Sequence, residues 1–360
     1  MKKFEFGCRG NQNKVGVLLA QLGTPDAPTA KALRPYLKQF LGDPRVIEKP
    51  RWLWWLILNC IILRLRPKRS ARLYSRIWTA EGSPLLVITK QQTEALRQKL
   101  GDYQGLLEID FGMRYGSYSL ESAIDRLIEK GCSKIVLFNM YPQYSATTTA
   151  ANYDAVFKHL LNRRWVPTLR VVEPYYDKPS YIKALADRIN QSLSELPSMP
   201  EYLVFSYHGI PEMYVQKGDP YCCMCSETTR ALLPLLSIPA DRVIHTYQSR
   251  FGRDPWLVPY TDETIDALGK KGVKNIAVAC PGFTADCLET LDELGNEGRE
   301  AFHEHGGENL YLIPCLNDHP SWIDSMQELI LAELSGWLLE NQTREQLKCP
   351  VACAKQCAVC

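Results

Sequence analysis

The chain has 360 residues, 46% hydrophobic and 23% charged, enough for a packed core and longer than one usual domain. A net charge of +2 leaves no basic footprint for a nucleic acid. The start, Met1 to Arg9, lacks the apolar stretch of a signal peptide, so a cytoplasmic protein is expected. Its thirteen cysteines then read as free thiols or metal ligands rather than a disulfide framework.

The first strand-like run is Val15–Gln21. An apolar stretch follows at Trp52–Leu63, too short for the roughly 20 residues that span a bilayer. Arg51 precedes it; Arg64, Arg66, Lys68 and Arg69 follow. Three tryptophans beside a basic cluster suit a helix lying on a membrane surface or against a greasy ligand, with a buried core helix as the alternative. Further strands are predicted at Leu106–Phe111, Lys134–Met140, Leu169–Val172, Tyr202–Tyr207, Arg242–Tyr247, Asn275–Cys280 and Leu310–Ile313. Helical patterns lie between them, as in Leu120–Lys130, Ser180–Leu193 and Pro320–Leu339. This alternation predicts an α/β fold with a doubly wound parallel sheet.

The chain also resembles itself. Gly131-Cys-Ser-Lys-Ile-Val-Leu-Phe parallels Gly272-Val-Lys-Asn-Ile-Ala-Val-Ala, and Met113-Arg-Tyr-Gly116 parallels Ser249-Arg-Phe-Gly252. Two similar Rossmann-like halves flanking a cleft are therefore expected, closely packed because no Gly-, Ser- or Pro-rich linker divides them. The predicted division is an extension at 1–14, a first half at 15–175 carrying the tryptophan-rich helix at 50–67, a second half at 176–340, and a cysteine-rich tail at 341–360.

Ligands of open α/β sheets bind beyond the carboxyl ends of strands. His208 ends the run Tyr202–Tyr207, with Gly209 and Pro211 turning the chain away. Later, Asp286, Glu289, Glu293 and Glu297 recur at helical spacing with no lysine or arginine among them; a solvated helix face is the bland reading. Apolar or small neighbours (Phe283, Thr284, Leu288, Leu291) single out Glu289 as a carboxyl whose proton affinity burial would raise. A neutral imidazole and a line of carboxylates can take protons from a substrate and pass it a divalent cation. Phosphate-binding glycine loops and a nucleophile elbow are absent. Cys349, Cys353, Cys357 and Cys360 satisfy the ligand count of an iron–sulfur cluster or a zinc site; Cys222, Cys223 and Cys225 form a weaker group in a polar loop.

Over about residues 15 to 340 these segments resemble the ferrochelatases, which insert ferrous iron into a porphyrin as the last step to haem. The segments are Leu19-Ala-Gln-Leu-Gly-Thr-Pro25, Phe111-Gly-Met-Arg-Tyr115, Tyr141-Pro-Gln-Tyr-Ser145, Phe205-Ser-Tyr-His-Gly-Ile-Pro211, Gly218-Asp-Pro-Tyr221, Tyr247–Glu263 and Phe283–Glu293. The resemblance implies protoporphyrin IX and Fe2+ as substrates and no cofactor for the chemistry. It implies His208 as proton acceptor or iron ligand, Glu289 as the carboxylate facing it across the porphyrin, and Glu293 and Glu297 as conductors of metal or protons. Arg114 and Tyr115 would line the other side of the pocket, with Leu22 and Trp256 as apolar contacts. The tryptophan-rich helix falls where the family has a membrane-facing lip. Leu22 and Cys287 stand where some members have methionine and histidine. Some members hold a [2Fe–2S] cluster with three C-terminal cysteines and one in the loop where this chain has Ala146, so that ligand set cannot form. A cluster on the tail alone or shared with Cys222–Cys225, a zinc site, or no metal stay open. So do a chelatase for another metal or for coproporphyrin III, a non-catalytic haem or metal carrier, and the oligomeric state.

Overall fold

The computed structural model describes residues 14–252 and 254–338; the N-terminal extension, Leu339 and all four tail cysteines lie outside the described residues. Eight parallel strands form two four-stranded sheets. The first holds β1 (Lys14–Gly23), β2 (Leu107–Tyr115), β3 (Cys132–Asn139) and β4 (Thr168–Val171) in the order β2-β1-β3-β4. The second holds β5 (Tyr202–His208), β6 (Val243–Gln248), β7 (Asn275–Ala279) and β8 (Asn309–Leu312) in the order β6-β5-β7-β8. The eight predicted runs are these eight strands, with β2 extended to Tyr115. The inner strands are the most apolar because helices cover both faces, as in β1, where Val15 and Val17 to Ala20 are wholly buried.

Helices Leu120–Glu129 and Ala151–Leu161 cover one face of the first sheet, against Leu18, Ala20 and Leu137. Helices Thr261–Lys270 and Arg299–Glu304 cover one face of the second, against Val204, Ile276 and Val278. The remaining faces share a single core. Val17, Leu19 and Phe138 of the first half join Phe205, Ala277 and Ala279 of the second through Pro179–Glu195 and Pro320–Glu333. Trp322 centres it, with the rings of Phe138, Tyr175 and Tyr181 at 6.3, 5.7 and 5.9 Å.

The internal likeness extends to register. Gly16 pairs with Ile135 and Tyr202 with Ile276. Six residues on from Gly16 and from Tyr202 stand Leu22 and His208, which therefore occupy equivalent positions at the ends of the two central strands.

The tryptophan-rich segment is an arm of three helical pieces: α-helix Arg51–Ile57, a π turn Leu58–Ile62, and α-helix Leu63–Ile77. It is amphipathic, neither wholly core nor wholly surface. Trp54, Leu58 and Leu63 pack with Leu37, Leu41 and Tyr115, and the Trp54 indole N–H donates to the Leu41 carbonyl at 2.6 Å. Trp52 and Leu65, by contrast, are 71% and 70% exposed, and Trp55 is exposed too. No helix among the described residues is long and apolar enough to cross a membrane. Cys222, Cys223 and Cys225 are not in a loop: they open helix Tyr221–Leu232, where Cys225 is buried.

Candidate active site

Both central strands end at a glycine: the turn at Gly23 admits no other residue, and Gly209 is closely packed. Gly23 has φ +125°, and a Cβ there would lie 2.0 Å from the Tyr115 carbonyl oxygen. A Cβ on Gly209 would lie 3.0 Å from the Gln248 carbonyl oxygen and 3.2 Å from Trp256. The half-buried Trp256 thus closes directly over the turn that follows His208. The His208 Nδ1–H donates to the Gly209 carbonyl at 2.7 Å, which leaves the lone pair on Nε2.

A buried hydroxyl network supports this turn. Ser206 Oγ donates to Gln248 Oε1 (2.6 Å) and pairs with Thr261 (2.9 Å), which also pairs with Thr246 (2.8 Å). Gln248, thus fixed, donates through Nε2 to the Glu289 carbonyl at 2.8 Å. Ser249, in the left-handed region at φ +67°, donates through Oγ to Glu293 Oε2 at 2.6 Å. Burial pushes the Glu293 carboxyl above the usual range; the Glu289 charge adds to this, and the Ser249 and Gln248 hydrogen bonds and His208 oppose it. Sequence reasoning missed Ser206, Gln248, Ser249 and Thr261. Gln248 and Ser249 stand at the carboxyl end of β6, and Ser206 of β5 and Thr261 at the start of helix Thr261–Lys270 reach them only because β6 lies beside β5.

His208 and Glu289 both belong to the second half, as expected. They follow β5 and β7, which are neighbours in one sheet, so both stand along the same carboxyl edge. The acidic ladder is also not one helix face. The backbone runs as a short α turn (Leu288–Leu291), a π turn (Glu293–Gly298) and helix Arg299–Glu304. Asp286 is buried structure: it accepts from Thr290 Oγ1 (2.9 Å) and Asn317 Nδ2 (2.7 Å). Asp292, 1% exposed, turns inward to Asn296 (2.9 Å) and to Arg76 Nη1 (3.4 Å), which also lies 3.7 Å from the exposed Glu297. A cation from a distant element therefore neutralises part of a row that looked uniformly acidic. Of the four expected metal-handling residues, His208, Glu289 and Glu293 are gathered, and Glu297 points outward. Among the described residues no three His, Cys, Asp or Glu stand close enough to form a ready-made metal cage.

The first half supplies the facing wall. Leu22 joins Tyr36, Tyr74 and Leu85 around a small cavity of about 10 Å³ that reaches Cys287 and Glu289. Tyr115 is 1% exposed and backs this wall without lining it. Its hydroxyl donates to Asp43 Oδ2 (3.0 Å), which also accepts from Arg114 Nη2 (2.5 Å). About 10 Å³, against the roughly 300–1,000 Å³ of most ligand sites, means that the cleft is closed. Contacts between the halves hold it so. Tyr214 Oη donates to the Val46 carbonyl (3.1 Å), Lys217 and Lys49 pair with Glu48 and Asp254 (2.6 and 2.7 Å), and the Arg66 guanidinium lies 5.1 Å from the Phe251 ring centre.

Two like α/β halves, meeting at a cleft with a base and carboxylates along one rim, define a two-halved chelatase fold. The sirohydrochlorin chelatase SirB from Bacillus subtilis subspecies spizizenii, solved with cobalt, shares it with a TM-score of 0.50 at 11% identity, over 89% of this chain and 96% of that one. The ferrochelatase family model matches residues 14–334, and the chain belongs to the ferrochelatase family. A ferrochelatase from Idiomarina loihiensis is 48% identical over 338 residues, 94% of this chain and 93% of that one. One from Chromobacterium violaceum is 50% identical over 326 residues, 90% of this chain and 89% of that one.

Proposed function

We propose that the chain inserts Fe2+ into protoporphyrin IX to form protohaem, completing haem synthesis. Insertion releases two pyrrole N–H protons for each Fe2+ bound. Neutral His208 takes a proton at Nε2, the nitrogen left free by the Nδ1–H···O=C bond, and this observation carries the assignment. The Glu289 carboxylate takes the other. Glu293, whose proton affinity burial raises, receives protons from it and faces incoming metal as an oxygen ligand. Trp256 and Leu22 bound the ring with apolar surface, and Arg114 and Tyr115 brace the wall behind. Because the cleft is closed, the arm at residues 51–77 lifts to admit the porphyrin. Its exposed Trp52, Trp55 and Leu65, beside exposed Arg64, Lys68 and Arg69, suit a cytoplasmic protein resting on a membrane surface where such a substrate partitions. The tail thiols are proposed ligands of a [2Fe–2S] cluster or zinc, on ligand count alone; iron, acid-labile sulfide and zinc analysis of anaerobically purified protein decides between them.

The test is anaerobic turnover of Fe2+ with protoporphyrin IX, followed by loss of free-base fluorescence. His208→Ala should lower turnover by about 10²–10⁴-fold while porphyrin still binds. Wild-type turnover in that variant overturns the assignment. Coproporphyrin III in parallel separates the two porphyrins, and binding without turnover would mark a carrier.

A further inference from the structure

Arg76 lies on the arm yet touches the acidic turn of the other half, and this juxtaposition has a consequence for the order of events. We infer that Arg76 is a positioning residue that couples closure of the arm to the free negative charge of the acidic turn, so that Fe2+ is drawn in when the arm lifts. The inference rests on the ferrochelatase reading above.

The arm has one firm end. Tyr214, 6% exposed, donates to Val46 and accepts from the Glu48 N–H at 3.2 Å, pinning the loop that precedes Arg51. The far end packs Ala71 and Tyr74 on its own half and meets the other half through Arg66 over Phe251 and Arg76 against Asp292 and Glu297 at 3.4 and 3.7 Å. The Arg76–Glu297 pair is exposed, and such pairs contribute roughly 0.2–1 kcal/mol, so this is the end that yields. Lifting of the arm that widens this cavity of about 10 Å³ enough for a porphyrin carries Arg76 away from the turn. With the arm down, a guanidinium occupies the outer end of the carboxylate row and repels a second cation. With it up, the exposed Glu297 regains its free charge one turn outside Glu293. Among the described ion pairs Arg76 is the partner of both carboxylates, so the same side chain reads the arm and sets the field.

Arg76→Gln, which keeps length and removes charge, should lower KM for Fe2+ about two- to fivefold at low salt, the range expected of an exposed ion pair. The effect should fade at high salt, while KM for protoporphyrin changes less. Arg76→Lys should restore the wild-type value. Adding Glu297→Gln to Arg76→Gln should cancel the gain. An unchanged or raised KM for Fe2+ in Arg76→Gln overturns the inference, as does the same change in Arg76→Lys. If His208→Ala is inactive as expected but Arg76→Gln behaves as wild type, this coupling fails alone; an active His208→Ala removes the reading beneath it.

Discussion

Removing one hydroxyl, in Ser249→Ala, should move the pH dependence of turnover. Ser249 Oγ donates to Glu293 Oε2 at 2.6 Å, a short charge-assisted bond. Such bonds contribute roughly 1.5–3 kcal/mol, and one pKa unit corresponds to about 1.4 kcal/mol, so the loss is worth about one to two units. The sign follows from the direction of each influence. Burial already holds the Glu293 carboxyl above the ordinary range, and Ser249 draws it back down. Without Ser249 it rises further. Protonated Glu293 neither accepts a proton nor attracts Fe2+, so the acid limb of the kcat profile moves to higher pH by about one to two units. Anaerobic initial rates across the neutral range, read by porphyrin fluorescence, measure it. Ser249→Gly deletes the same hydroxyl but relieves the left-handed backbone at φ +67°, which costs other residues about 1–2 kcal/mol. It should show the same shift with a higher Tm than Ser249→Ala. An acid limb that stays where the wild type has it would refute the role given to Glu293.

Three further outcomes are expected. Glu289→Gln should slow insertion by about 10²–10⁴-fold, and Glu297→Gln far less, because Glu297 points outward to Arg76; equal losses would mean that the row has no inner and outer end. Glu293→Gln should raise Tm above neutrality: a carboxyl whose folded pKa is raised contributes stability at low pH that is lost as pH climbs through that pKa, and the amide avoids the loss. The difference should vanish under acid conditions, where the wild-type carboxyl is neutral. Trp54→Ala should cost about 3–5 kcal/mol in denaturant unfolding, whereas Trp52→Ser with Trp55→Ser should keep Tm and weaken binding to anionic vesicles.

What the sequence revealed depended on how local the cause was. The inner strands were legible because a strand buried on both faces is an apolar run, and β5 carried His208 to its end visibly; the more polar edge strands showed through the strand–helix alternation. The acidic residues were misplaced because their spacing was read on an α-helix, while the backbone widens into a π turn. Arg76 was invisible as their partner: it comes from 216 positions away. Trp54 could not be told from Trp52 and Trp55, since a run that is apolar all round carries no phase. Ser206, Gln248 and Ser249 look like ordinary strand residues until β6 is known to flank β5.

The equivalence of Leu22 and His208 bears on the geometry of the substrate. A free-base porphyrin is flat, and its two sides are chemically alike. A cleft made of two matching halves could have treated those sides alike, with a base at each strand end. Instead one copy of the position is an imidazole and the other an aliphatic side chain. On the proposed function the two faces are therefore treated differently: the face toward His208 meets a base, and the face toward the matching strand end meets Leu22. A porphyrin bearing a single axial substituent should seat in one orientation, with the blocked side toward Leu22.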